Sequence, residues 1–165
     1  MKNKHETFMR KAIALSEQNL KTFDGGPFGA VIVKDGKVIA ATGNTVNKDN
    51  DPTAHAEVNA IREACKKLKQ SDLKGAVIYT SAEPCPMCLS AIYWANIDEV
   101  YYGNSKSDAK WAGFSDDLIY EELARPIEER TLKFHRIIPS ESMKAFEEWV
   151  NMSTSEKEKI KNGSL

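Results

Sequence analysis

The chain of 165 residues contains no apolar run approaching the roughly 20 residues that span a bilayer. Residues 1–20 are polar and then amphipathic, without the uninterrupted apolar core of a signal peptide, so a cytoplasmic location is expected. Three cysteines are too few for a disulfide framework and fit a reducing compartment. Neither sign of charge dominates: 23 basic against 24 acidic side chains leave a net charge of -1. Binding nucleic acid asks for a basic surface to neutralise phosphates, and this balance argues against it. No internal repeat or low-complexity linker divides the chain, and its length suits one domain, residues 1–165, with a substantial core.

What is present is a set of short, well-punctuated elements. Phe8, Met9, Ala12, Ile13, Leu15 and Leu20 recur at spacings of three and four and predict an amphipathic helix over 6–21, ended by Gly25-Gly26-Pro27. The two glycines are punctuation, since no GK[ST] follows to make them a phosphate loop. Two apolar runs, 28–33 and 38–41, flank Asp35-Gly36, a strong hairpin signal. Residues 47–52 read as a loop, with Asp51 or Thr53 able to cap a helix over 54–67. Strands are expected at 76–80, 100–103 and 134–138, and helices at 87–95, around 119–123 and from about 141 through Phe146 and Trp149. The stretch 104–108 reads as a loop, and the charged tail beyond 156 as frayed. Five strands with interleaved helices make a layered α/β domain with one antiparallel hairpin on a sheet otherwise joined by crossovers.

Two stretches carry the chemistry: Thr53-Ala54-His55-Ala56-Glu57 and Glu83-Pro84-Cys85-Pro86-Met87-Cys88. One imidazole and two thiols two residues apart suit zinc, and three protein ligands leave a tetrahedral ion one open position. A water at such a position has its pKa lowered toward neutrality, and Glu57 has the right chemistry to move its protons. A purely structural zinc would need a fourth ligand. Cys65 lies ten residues along the helix from His55, roughly 15 Å at 1.5 Å per residue, too far to share the ion. His5 and His135 have nothing in their surroundings to recommend them. Residues two apart on a regular helix point about 200° apart, so His55 and Glu57 share a site only if the ion sits at the helix end or the first turn is distorted. The arrangement HxE…PCxxC is the signature of zinc-dependent nucleobase deaminases, in which the Glu is acid/base and not ligand.

PTAHAEVNAIREAC, YTSAEPCPMCLSAIYWA and AGFSDDLIYEE closely resemble the bacterial guanine deaminases of the cytidine deaminase superfamily, over His5 to about Trp149. The resemblance implies a three-layer α/β/α fold around a central five-stranded mixed sheet, and zinc, one ion per chain, on His55, Cys85 and Cys88. It implies Glu57 as the proton carrier, Asp116 as a second catalytic carboxylate beside the purine, and Asn44, Ala56 and Trp94 around the pocket. It implies hydrolysis of guanine to xanthine and ammonia in purine catabolism or salvage, and a homodimer exchanging the C-terminal segment, residues about 141–165. The tail departs from the pattern: relatives close the partner's site with a tail aromatic, but past Trp149 this chain has no Phe, Tyr or Trp. For Asp116 the plain alternative is an acidic helix start after Ser115. Guanosine deamination, tRNA adenosine deamination and a zinc-stabilised binding module without turnover are the competing functions; only the last has no need of Glu57.

Overall fold

Asp35 and Gly36 both adopt positive φ, 50° and 72°, the backbone signature of the two-residue turn that matches the twist of an antiparallel hairpin. The turn joins β1 (Gly29–Lys34) to β2 (Lys37–Gly43), with Lys34 opposite Lys37. A bulge between Ile32 and Val33 shifts the register, so that Ile32 faces Ala40 while Val33 faces Val38. In the computed structural model, which describes residues 2–160, β3 (Ala76–Ala82) pairs antiparallel with β1, and β4 (Glu99–Asn104) pairs parallel with β3. The sheet order is β2-β1-β3-β4.

Alternation along β1 builds three layers. Val31 and Val33 point to one side, where they pack with Phe8 and Ala12 of α1 (Lys2–Thr22) and with Tyr79. Ala30 and Ile32 point to the other, against Ala56, Ala60 and Ala64 of α3 (Ala56–Leu68) and Ile92 of α4 (Pro86–Trp94). Between them in the chain, a short α2 (Val46–Asp49) occupies part of the stretch expected as loop. The all-alanine face of α3 lets that helix lie close on the sheet. Ile32, Val31 and Ile78 are fully buried, and each contributes about 1.5–3 kcal/mol of hydrophobic stabilisation.

Strand direction positions the two motifs. Because β2 and β3 are both antiparallel to β1, they run the same way, and their carboxyl ends lie at one end of the sheet. The loop leading to His55 follows β2 and the segment bearing Cys85 follows β3, so both leave from that end.

The sheet has four strands among the described residues, and the fifth expected at 134–138 is not formed. Phe134, Ile137 and Ile138 are exposed, and this run has no neighbouring strand to take its backbone hydrogen bonds; apolar, β-branched character alone does not make a strand. The expected loop at 104–108 instead starts α5 (Lys106–Trp111). Ser105 and Asp108 close a reciprocal capping box there, each side chain bonding the other's backbone amide.

The backbone divides into two compact units, the first ending at Asp116 and the second beginning at Asp117. The second contains α6 (Asp117–Ala124), a 3-10 turn (Ile127–Glu129), α7 (Pro139–Asn151) and α8 (Thr154–Ile160). Within it Glu122 accepts from the Thr131 amide at 2.6 Å and pairs with Arg125 at 2.9 Å, tying the turn to α6. No helix of the described residues is long and apolar enough to cross a membrane.

Candidate metal centre and active site

His55 is not inside α3. It is the residue before the helix, with extended backbone (φ -69°, ψ 153°), while Glu57 is in the first turn. That resolves the two-residue spacing: the imidazole hangs off the end of the helix and the carboxylate projects from its first turn toward the same point. Cys85 stands in the same relation to α4 (φ -64°, ψ 168°), with Pro86 at the first helical position, where its missing N–H is no loss. Two helix N-termini therefore meet here, and their unpaired amides favour negative charge.

His55 Nδ1 lies 3.6 Å from Cys85 Sγ and 3.4 Å from Cys88 Sγ. Bonds of about 2.0 Å to nitrogen and 2.3 Å to sulfur at a tetrahedral angle set their ends roughly 3.5 Å apart, so these separations are those of a shared zinc. All three ligand atoms fall within 4.8 Å of one another. A borderline imidazole with two soft thiolates is a donor set zinc accepts, and the residues present fit the ion. Cys65, by contrast, makes only a long contact to the Ser71 carbonyl, 3.8 Å, and its burial pushes the thiol up. It stands apart from the cluster, as its distance along α3 requires. His5 stacks on Tyr101 and bonds the Tyr79 hydroxyl at 2.8 Å, which occupies it on the α1 side of the sheet.

The thiols are unlike each other. The hydrogen bond from Cys88, with that to His55, holds Cys85 down at about 4, against the opposing effect of burial. Cys88 is driven the other way, first by that same bond to Cys85 and then by burial and the nearby Glu57 carboxylate. Negative charge thus collects first on Cys85, and the bond to it raises His55. Burial raises Glu57, which is only 5% exposed, against the hydrogen bonds it accepts. Those bonds come from its own backbone amide, from Thr80 Oγ1 to Oε1 at 3.0 Å and from Cys88 Sγ to Oε2 at 3.4 Å. A carboxyl held up toward neutrality within reach of the ligand set is equipped to take and return protons.

Residues that no motif singled out hold the site together. Asn59 Nδ2 donates to the Gly43 carbonyl, to Thr45 Oγ1 and to the Ala54 carbonyl, clamping the loop before His55 onto α3. Asn19 Nδ2 donates to the carbonyls of Gly26 and Asn44, both at 2.8 Å. A Cβ at Gly25 would run into Asn44 Oδ1, so Gly25 is a close-packing requirement as well as the punctuation read from sequence.

Asn44 is buried, and its Oδ1 accepts from the Val46 amide at 3.1 Å, which orients the side chain and leaves Nδ2 as its donating end. Ala56, the first residue of α3, is fully buried, and its amide is among the first-turn donors with no partner inside the helix. Asp116 is half-buried in the loop just before α6. Trp94 lies at the far end of the nine-residue α4, about 13 Å along its axis from Cys85, and is 55% exposed. His55, Glu57, Cys85 and Cys88 are thus brought together by direct contacts; Asn44 and Ala56 join them through the chain, and Asp116 and Trp94 touch none of the four in any contact described above.

Residues 2–104 match the description "Cytidine and deoxycytidylate deaminase zinc-binding region", a span that contains all four clustered side chains. The chain belongs to this zinc-binding deaminase family. It is 50% identical to guanine deaminase of Bacillus subtilis over 149 residues, 90% of this chain and 96% of that one. An X-ray structure of guanine deaminase from Bacillus subtilis superposes with a TM-score of 0.88 over 91% of this chain and 96% of that chain. A tRNA-specific adenosine deaminase of Agrobacterium fabrum is 52% identical over 80 residues, 48% of this chain and 53% of that one. The α/β cytidine deaminase-like fold is thereby shown, with four strands in place of the expected five.

Proposed function

We propose that this chain hydrolyses guanine to xanthine and ammonia, with one zinc ion held by His55, Cys85 and Cys88. The observation that carries the reading is the extent of the similarity. A match covering 149 of 165 residues at 50% identity must run through AGFSDD, the segment bearing Asp116, whereas the tRNA-specific adenosine deaminases of Agrobacterium fabrum and Bacillus subtilis match over 80 and 119 residues, the longer at 35% identity. The near-neutral charge balance agrees, since no basic excess is available for tRNA.

Bound zinc would supply a Lewis acid able to bring a water's pKa toward neutrality. The protein's own work is proton traffic and orientation. Glu57 takes one proton from the attacking water and delivers it to a ring nitrogen, then takes the second from the hydroxyl formed at the 2-carbon and delivers it to the departing amine, so that guanine and water become xanthine and ammonia. Its burial raises its affinity for the proton it carries. Presenting the 2-amino carbon to the metal turns the purine relative to the pose a cytosine would need. Ring N–H groups on another edge then want an acceptor that Glu57 cannot reach, and Asp116 is that acceptor in this reading. Asn44 Nδ2 and the Ala56 amide are donors for purine oxygen and nitrogen acceptors, and Trp94 borders the outer rim.

The working enzyme in this reading is a cytoplasmic homodimer that exchanges its C-terminal segment. The second unit supports this by leaving Phe146 and Val150 of α7 each 70% exposed, apolar surface that a second copy would bury. Light scattering of the purified protein gives the mass. An ammonia-release panel of guanine, guanosine, adenine, cytosine and cytidine tests the substrate, with guanine expected to dominate; release from guanosine alone or from the cytosine compounds alone would replace the reading.

A further inference from the structure

The geometry points to Thr80 as the positioning residue for Glu57, through a hydrogen bond made from the centre of the sheet to the carboxylate oxygen that faces away from the metal ligands. The inference rests on the deaminase reading in which Glu57 carries protons.

Thr80 lies on β3, opposite Ala30 of β1 and Tyr102 of β4, and is 1% exposed. Its backbone is locked by strand pairing on both sides, and its β-branched side chain has few χ1 choices. The hydroxyl donates to Glu57 Oε1 at 3.0 Å. Glu57 Oε2 is the oxygen on the ligand side, 3.4 Å from Cys88 Sγ. The terminal torsion of a glutamate is broad and nearly two-fold, so nothing in the side chain itself decides how its oxygens are aimed. Thr80 decides it, by engaging Oε1 from the most rigid part of the fold.

Of the two side-chain contacts to the carboxylate, the one from Thr80 involves no candidate metal ligand. Without Thr80 the buried carboxylate would lose the side-chain donor that fixes the rotation of its two oxygens. A misplacement of about 1 Å at a reacting group is enough to cost roughly 100-fold in rate. Nothing in the motif marks this residue: Thr80 stands outside both zinc stretches, and only the register of β3 against β1 and β4 sets it over the first turn of α3.

The test compares Thr80→Val, which keeps shape and removes the hydroxyl, with Thr80→Ser, which keeps the hydroxyl, in zinc-loaded protein. The substrate is whichever of the five panel compounds wild type deaminates. Thr80→Val is expected to lower kcat by about 10- to 100-fold with KM within about twofold, while zinc content stays at one per chain. Thr80→Ser is expected to recover kcat to within about threefold of wild type. In a Glu57→Gln background, Thr80→Val is expected to add less than about a twofold further loss, because the group it positions is gone. Equal losses in the Val and Ser variants, an undiminished kcat in Thr80→Val, or full additivity with Glu57→Gln would each overturn the assignment. If Thr80→Val proves unstable or loses zinc, Thr80→Ser decides alone, a kcat more than about tenfold down with zinc retained overturning it and a near-normal kcat upholding it. Failure of guanine while another compound turns over would overturn the guanine reading and leave this comparison intact; no turnover of any of the five would overturn both.

Discussion

His55 Nδ1 and Cys88 Sγ lie 3.4 Å apart although 33 residues separate them in the chain. The sheet brings them together: β2 and β3 run the same way, so the segments that follow each strand start α3 and α4 at one end. Purified protein is therefore expected to hold about one zinc per chain by atomic absorption. His55→Ala, Cys85→Ala and Cys88→Ala should each lose most of it, and a triple variant that still binds zinc stoichiometrically would place the metal elsewhere.

Glu57 sits in contact with this cluster and accepts hydrogen bonds from Thr80 and Cys88, and the reading keeps it off the metal. Glu57→Gln keeps its size and removes its proton affinity. Zinc should stay, and kcat should drop by roughly 10²- to 10⁴-fold, the usual share of one acid/base group. Loss of zinc in this variant would make Glu57 a ligand.

Metal removal should expose the asymmetry of the thiols. Cys85 is lowered to about 4, so above that pH it is thiolate, whereas burial raises Cys65 from an ordinary value of 9.0. At about pH 6 iodoacetamide should label Cys85 of the chelator-treated protein and spare Cys65, since only the thiolate attacks. Added zinc should protect Cys85. Mass spectrometry of the peptides checks this, and equal labelling of Cys65 and Cys85 would contradict it.

Much of this was legible in the residues, for reasons that differ from element to element. Asp35-Gly36 encodes its turn locally, and the chain folded there as expected. The clustering of His55, Cys85 and Cys88 is legible because metal chemistry restricts which side chains serve and at what spacing. The run 134–138 misled because a strand is defined by its neighbour, which local composition does not contain. The capping box of Ser105 and Asp108 follows the S-x-x-D pattern, but in a stretch polar enough to read as loop. The residue types of Thr80, Asn59 and Asn19 do not mark them out within their stretches; their roles follow from strand register and from long-range hydrogen bonds that only the folded chain makes.

Asp116 separates two readings of one loop. As the acidic start of α6 it would contribute about 0.3–1 kcal/mol of stability and nothing to specificity. As the acceptor for purine ring N–H groups, its change to Asn mispairs a buried contact. Asp116→Asn should leave zinc content and melting temperature near wild type while guanine turnover falls by more than roughly tenfold. Unchanged guanine kinetics would make it a helix-start residue.

The most direct test of the account is the product itself. Zinc-loaded protein incubated with guanine in water enriched in heavy oxygen should yield xanthine carrying one heavy oxygen atom and an equal amount of ammonia, and chelation should stop both. Guanine recovered unchanged, while the same protein converts adenosine in tRNA to inosine, would contradict it.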